Sequence, residues 1–319
     1  DFDTRLRNLF SYNDEGNPFT PDETDKLIEA INNAKILDPA CGSGAFLMGV
    51  LHKMVHLLQK LDPGNVKWKA QQKEKIIGNQ IKELEKDKKA IAGLSDEAVR
   101  KKAIQAVDER LKEIDEIFES KNNFDDYARK LYLIENCIYG IDIQPIAVQI
   151  SKLRFFISLI IDQDKDPKKE NFGLRSLPNL ETKFVAANTL IRLEKPQQLT
   201  IRNPKIDEKE NALKTIRHKY FTVTTRKEKL ALQKEDKKLR KEISDLLKND
   251  GFQTDVAEKI AIFNLFEQNT STEWFDPEWM FGVTDGFDIV IGNPPFISTK
   301  GIDAETKKQL EKSFGFADD

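Results

Sequence analysis

The sharpest chemical signal in the chain is Asn293-Pro294-Pro295-Phe296. Two successive prolines fix φ and remove two backbone donors. What remains is a stiff pair of acceptors, the Asn293 side-chain oxygen and the Pro294 carbonyl, followed by the flat ring of Phe296. Two acceptors and a ring suit a planar exocyclic amine. Such an amine is a poor nucleophile because its lone pair is delocalised into the ring. Accepting both of its hydrogens pulls the nitrogen toward tetrahedral geometry and frees the lone pair, which stabilises a transition state more than a ground state. The plain alternative is a Pro-Pro loop with no chemistry. The apolar run before it and the aromatic after it argue against that alternative.

A second cluster is Asp38-Pro39-Ala40-Cys41-Gly42-Ser43-Gly44. Gly42 and Gly44 permit positive φ and let backbone approach a ligand closely. A carboxylate beside that turn argues for a cationic ligand group, such as an ammonium or a sulfonium, and against a phosphate. The dinucleotide spacing Gly-x-Gly-x-x-Gly is absent, and a purely structural glycine turn is the competing reading. Asp142, within Gly140-Ile141-Asp142-Ile143, can accept hydrogen bonds from ribose hydroxyls, as in nucleotide-binding α/β folds. It could equally cap the helix that follows. Asn188 could pair with an adenine edge or serve only as turn chemistry.

These residues must be positioned by strands. Residues 34–37 and 137–143 are short apolar runs that predict buried strands, 183–187 and 287–291 predict a third and a fourth strand, and helices are predicted between them. Thr20, Pro21 and Glu23 predict a capped helix to about residue 33. Further helices are predicted from 45 to about 60, from 145 to about 161 (amphipathic) and over about 254–268. Alternating short strands and helices indicate a parallel α/β sheet. Asp38, Asp142, Asn188 and Asn293 all fall at strand ends, where ligands bind in such sheets. Two charged stretches interrupt the pattern. In residues 67–130, Ile81, Leu84, Lys88 and Ile91, then Val107, Leu111, Ile114 and Phe118, have heptad-like spacing, which predicts two antiparallel helices with a solvated charged face. Residues 203–250 form the second stretch, with a capping box at Thr225 and Glu228 and an apolar stripe of Leu239, Ile243, Leu246 and Leu247.

Composition sets the outer bounds. Of 319 residues, 39% are hydrophobic and 33% charged, enough apolar content for a core. The net charge of −3 gives no general nucleic-acid signal. Two cysteines exclude a disulfide scaffold and fit a reducing, cytoplasmic setting. There is no apolar run long enough to cross a membrane and no secretory pattern at the start.

Taken in order, Phe-Thr-Pro, Asp-Pro-Ala-Cys-Gly-Ser-Gly, Ile-Asp-Ile, Ala-Asn and Asn-Pro-Pro-Phe resemble the motifs of gamma-type adenine-N6 DNA methyltransferases. With the charged inserts, the chain looks like the methylase region of type IIG (Eco57I-like) restriction–modification enzymes from about residue 17 onward. The resemblance implies a Rossmann-like methyltransferase fold that binds S-adenosyl-L-methionine. It implies that Thr20 contacts the methionine carboxylate and that Asp38, Ala40, Gly42 and Gly44 line the methionine moiety. Asp142 would hold the ribose hydroxyls, Ile143 would pack on the cofactor adenine, and Asn188, where the family often has Asp, would bond its amine. Asn293 and Pro294 would bind the target amine, Pro295 would complete the catalytic motif, and Phe296, where Tyr is commoner, would stack on the flipped base. The implied substrate is double-stranded DNA.

In domain terms the resemblance implies an N-terminal helical segment (1–33), a catalytic domain (34–66 and 131–319) and two helical inserts (67–130 and 203–250). It also implies a sheet ordered 3-2-1-4 so far, with further strands, target recognition and a nuclease region elsewhere in the polypeptide. Two other readings compete. One is a glutamine methyltransferase acting on release factors, whose substrate is also a planar amide. The other is a cofactor-binding modification subunit without catalysis.

Overall fold

The computed structural model describes residues 1–13, 15–71, 124–163, 165–168, 170–174, 176–193, 203–251, 254–295, 304, 307, 308, 310 and 311. Most of the first charged stretch, Phe296 and the residues around it lie outside these.

Four strands form one sheet: β1 (Ile36–Asp38), β2 (Ile138–Asp142), β3 (Phe184–Ala186) and β4 (Ile289–Val290). All pairings are parallel and the order is β3-β2-β1-β4, as the motif order predicts. Asp38 lies opposite Gly140, and Asp142 opposite Ala186. With strands of two to five residues, the ladder bonds contribute little, at about 1 kcal/mol each. Packing must hold the sheet, since each buried aliphatic or aromatic side chain contributes about 1.5–3 kcal/mol.

Both faces are covered over β1, β2 and β3, whereas Ile289 and Val290 of the edge strand β4 are exposed. On one side Ile36, Ile138 and Phe184 pack with Leu47 and Leu51 of α3 (Ala45–Leu61), Leu133 of α4 (Phe124–Asn136) and Phe155 of α5 (Pro145–Ile161). Gly140 lacks a side chain because a Cβ there would lie 2.7 Å from Phe184 and 2.9 Å from Leu47. Helices α1 (Phe2–Phe10) and α2 (Pro21–Asn33) join the same cluster through Leu9 and Ile28. The predicted capping box of α2 is present: Thr20 accepts from the Glu23 N–H, and Glu23 accepts from the Thr20 N–H.

On the other side Leu37, Tyr139, Ile141 and Val185 pack against α6 (Pro204–Thr222), α7 (Arg226–Asn249), α8 (Thr254–Ile262) and α9 (Pro277–Phe281). The apolar stripe read in the second charged stretch is core: Leu239, Ile243 and Leu247 are buried with Ile206 and Leu213, and Leu246 packs against them. Asp236, fully buried, accepts from Arg217 Nε at 2.9 Å and Arg240 Nε at 2.7 Å. Arg217 also donates to the Trp279 carbonyl and Arg240 to the Ala261 carbonyl. One carboxylate thus fastens α6 and α7 to α9 and to α8.

Two expectations change. Helix α8 stops at Ile262 instead of continuing to about 268. The Asn264 side chain accepts from the Phe266 N–H, a turn that ends the helix, while Phe263 and Leu265 bury themselves in the second core. Helix α5 spans the predicted residues, but its amphipathicity is inverted in part. Its buried positions include Ser151, Lys152 and Ser158, whereas Ile146, Ile150, Leu153, Ile157 and Ile161 are exposed. Helix α1 and the short α9 are additional to the elements read from sequence.

The outer edge of β3 is protected. Thr272 N–H donates to the Ala186 carbonyl and Asn188 N–H to the Thr272 carbonyl, so the loop before α9 covers the ladder. At the amino end of the sheet, a cavity of about 230 Å³ is lined by Glu135, Tyr139, Lys183, Arg217 and His218, among others.

Candidate cofactor and target-base site

The turn after β1 is built by backbone constraint. Asp38 Oδ1 accepts from the Ala40 N–H at 3.1 Å, and the Cys41 N–H reaches across to the Ile141 carbonyl at 2.7 Å. Gly42 and Gly44 both take left-handed φ, +53° and +78°, conformations that glycine adopts without strain. Gly44 caps α3 without a side chain. A Cβ on Gly42 would meet nothing within 4 Å, so this side of the turn is open space.

Asp142 connects β2 to the same turn. Its Oδ2 accepts from the Gly42 N–H at 2.8 Å and its Oδ1 from the Gln144 N–H at 2.8 Å, where α5 begins. Asp142 is not the N-cap considered from sequence, since Gln144 holds that position without a side-chain cap; the carboxylate instead bonds the Gln144 N–H in a local turn and clasps the glycine turn. Each oxygen keeps a further lone pair. Ile143, next in the chain, is 58% exposed, an apolar side chain standing at the mouth of the sheet.

Asp38 is 1% exposed. Burial pushes its carboxyl above the ordinary range; the Ala40 N–H opposes this, and the Asp142 charge adds to it. No basic side chain contributes among these causes, so the carboxyl suits a cationic group from a ligand. Asn188 behaves as turn chemistry: its Oδ1 accepts from the Leu190 N–H at 3.1 Å. Its neighbour Thr189 donates to the Pro39 carbonyl at 3.1 Å, which ties the β3 loop to the β1 loop.

Asn293, Pro294 and Pro295 follow β4 and are exposed. The backbone one residue earlier is pressed against the β1 turn: a Cβ on Gly292 would lie 2.5 Å from Asp38 Oδ1 and 3.4 Å from Pro39 Cδ. Asp38, Ala40, Gly42, Asp142 and the start of the Asn-Pro-Pro loop therefore form one neighbourhood at the carboxyl ends of β2, β1 and β4. Thr20 is not drawn into it by hydrogen bonds among the described residues: its amide and hydroxyl face Glu23. Phe296 lies outside the described residues.

Three contributors were not singled out from sequence. Gly292 is needed for close approach and Thr189 for a loop tie. Ser151 donates to the Gly42 carbonyl at 2.9 Å. No distinctive sequence signal marks Ser151, since the same helix also carries Gln149, Lys152, Arg154 and Ser158. Neither cysteine is poised for chemistry, since burial pushes both thiols up to about 12. Among the described residues there is no cluster of metal-ligating side chains and no helix long and apolar enough to cross a membrane.

A parallel sheet with a glycine turn after its first strand and a carboxylate after its second defines a Rossmann-like domain of the kind that binds nucleoside cofactors. Residues 136–319 match the Eco57I restriction-modification methylase family, and the chain belongs to that family. A stretch of 71 residues is 39% identical to a putative type II restriction enzyme and methyltransferase of Methanocaldococcus jannaschii; it covers 22% of this chain and 6% of that relative. No solved structure matches the chain.

Proposed function

We propose that this chain carries the cofactor and target-base sites of an enzyme that transfers a methyl group from S-adenosyl-L-methionine to the N6 amine of adenine in double-stranded DNA. The observation that supports this best is the contact of Gly292 with Asp38. It sets the amine-accepting loop beside the cationic-ligand turn, as direct transfer between two bound molecules requires.

The residues present fit the cofactor. Asp38 is a buried carboxyl with no basic partner among the causes of its shift, and Gly42 faces open space. Asp38, Ala40 and Gly42 would hold the methionine part, with Gly44 giving the backbone its approach. Asp142 would use its remaining lone pairs for the ribose hydroxyls. Ile143 would lie on the adenine, and Asn188 Oδ1 would use its second lone pair for the adenine amine. Contact between Thr20 and the methionine carboxylate requires the Glu23 side chain to swing aside. Bound there, the cofactor supplies an electrophilic methyl group on a sulfonium.

The protein's own work is on the acceptor. Asn293 Oδ1 and the Pro294 carbonyl accept both hydrogens of the amine and turn its lone pair toward the methyl. Pro295 keeps the loop stiff and Phe296 stacks on the base. The amine is paired and stacked in a duplex, so the base must be extruded, at a cost of a few kcal/mol. The exposure of residues 293–295 leaves room for it. Regions of the same polypeptide beyond this chain would recognise the sequence and, in a restriction–modification enzyme, cleave it.

The test is digestion and chromatography of duplex DNA after incubation of the complete protein with methyl-labelled cofactor. Label is expected in N6-methyladenine. Label in N4-methylcytosine would overturn the assigned base, and label in a release-factor glutamine the assigned substrate. Asn293→Ala should lower the methylation rate by about 10²–10³-fold while cofactor affinity stays within about twofold. A parallel loss of both would contradict the role given to Asn293.

A further inference from the structure

Helix α5 turns a hydroxyl toward the glycine turn. Ser151 is fully buried, with Val148 and Phe155 beside it on the same inner face. A buried hydroxyl without a partner is costly, and an alanine would fill this position at lower cost. The hydroxyl donates to the Gly42 carbonyl at 2.9 Å, and Cys41 Sγ lies 3.8 Å from the same oxygen of Ser151. The Gly42 N–H, on the preceding peptide, is held by Asp142. Both polar groups of Gly42 are thus taken by side chains of the β2–α5 unit. Its bare Cα is left facing open space. Ser151 also sets the volume beneath the turn: a Cβ on Gly44 would lie 2.9 Å from Ser151 Oγ and 3.1 Å from its Cβ.

We propose that Ser151 is a positioning residue for the cofactor site: its hydroxyl locks the Gly42 carbonyl so that the glycine presents its open side to the methionine part of S-adenosyl-L-methionine. This rests on the cofactor reading above. Without the hydroxyl, the Gly42 carbonyl keeps only the distant Cys41 thiol, a weak donor. Gly42 then loses one of its two side-chain anchors, and the bound shape is only one of several that it samples. Binding pays for that selection, and the chemical step at saturating cofactor does not.

The experiment measures calorimetric affinity for S-adenosyl-L-methionine in the complete protein for wild type, Ser151→Ala and Ser151→Cys, with melting curves and saturating-cofactor methylation rates alongside. Ser151→Ala is expected to weaken binding about tenfold, the value of one ordinary hydrogen bond, with kcat within about threefold of wild type. Ser151→Cys, which fills the space with a somewhat larger group but donates weakly, is expected to stay closer to the alanine variant than to wild type. Full recovery by cysteine would show that volume, not the hydrogen bond, matters, and would overturn the proposal. So would unchanged affinity in Ser151→Ala, or a loss confined to kcat. If the alanine variant does not fold, the cysteine variant alone decides between these outcomes. Absence of binding by wild type would instead sink the cofactor reading itself.

Discussion

Asp38 keeps a carboxyl under cover of the β1 turn, and no basic side chain among the described residues is hydrogen-bonded to it. A carboxyl whose folded pKa is raised binds protons more readily in the native state than in the unfolded chain. Stability therefore falls as pH rises from the ordinary carboxylate value through the raised one, and the deficit stays constant above it. Asp38→Asn removes that deficit. At pH 7 the variant is expected to melt higher than wild type in the absence of cofactor, and to bind cofactor at least about tenfold more weakly. A lower melting temperature would show that the carboxylate stabilises the fold.

At Asp142 the conservative change has a different effect. An asparagine has one acceptor oxygen and one donor nitrogen, so it cannot accept from both Gly42 and Gln144. Asp142→Asn should accelerate hydrogen exchange of the Gly42 amide, read by nuclear magnetic resonance, even without ligand. Unchanged exchange would mean that the clasp is not needed. At this scale the sequence was most legible where a residue type is unusual for its place. Asp38, Asp142 and Asn293 announced themselves as polar residues closing apolar strands. Gly292 and Ser151 did not, because their importance is a distance to a residue far away in the chain.

Helices were legible where capping chemistry is local. Thr20-Pro21 and Gln144-Pro145 mark their helix starts, and α5 begins and ends where its composition says it should. Which side of α5 faces inward was not legible, because nearly every position is apolar and the buried set is chosen by what lies opposite. In the second charged stretch the apolar stripe was legible, and Leu239, Ile243, Leu246 and Leu247 do face the second core; that its helices cover one face of the sheet was not. Asp236 shows why they stay there. Truncating it strands two buried guanidinium groups, and breaking a buried pair in this way costs about 3–5 kcal/mol. Asp236→Ala should show that loss in urea denaturation. A cost below about 1 kcal/mol would mean that the two arginines find other partners.

Across the molecule, stability in alkali is governed in part by Lys183, at the amino end of the sheet over the Tyr139 ring. Burial holds its ammonium down to about 8, against the partial support of Glu135 and Cys137. Between that value and its ordinary 10.5 the unfolded chain binds a proton that the folded chain does not, so stability rises with pH in this window. The effect is at most about 3 kcal/mol. The Cys41 and Cys137 thiols, pushed up to about 12 from 9.0, act in the opposite direction above about pH 9, and Tyr139, pushed up to about 12 from 10.0, joins them above pH 10. Lys183→Met should therefore remove the upward contribution between pH 8 and 9 and steepen the fall in melting temperature above it; an identical profile would clear Lys183 of the effect.

The pairing of β1 with β4 has a consequence in time. The Lys35 N–H is bonded to Asp288, 253 positions later, so the first strand waits for a neighbour that the ribosome has not yet made. At elongation rates of about 5–20 residues per second, that wait is roughly ten to fifty seconds. The glycine turn and its Asp142 clasp can close long before the Asn-Pro-Pro loop exists. A nascent chain is thus expected to acquire its small-molecule pocket first and its grip on a base last, so that premature termination yields a binder without a reaction.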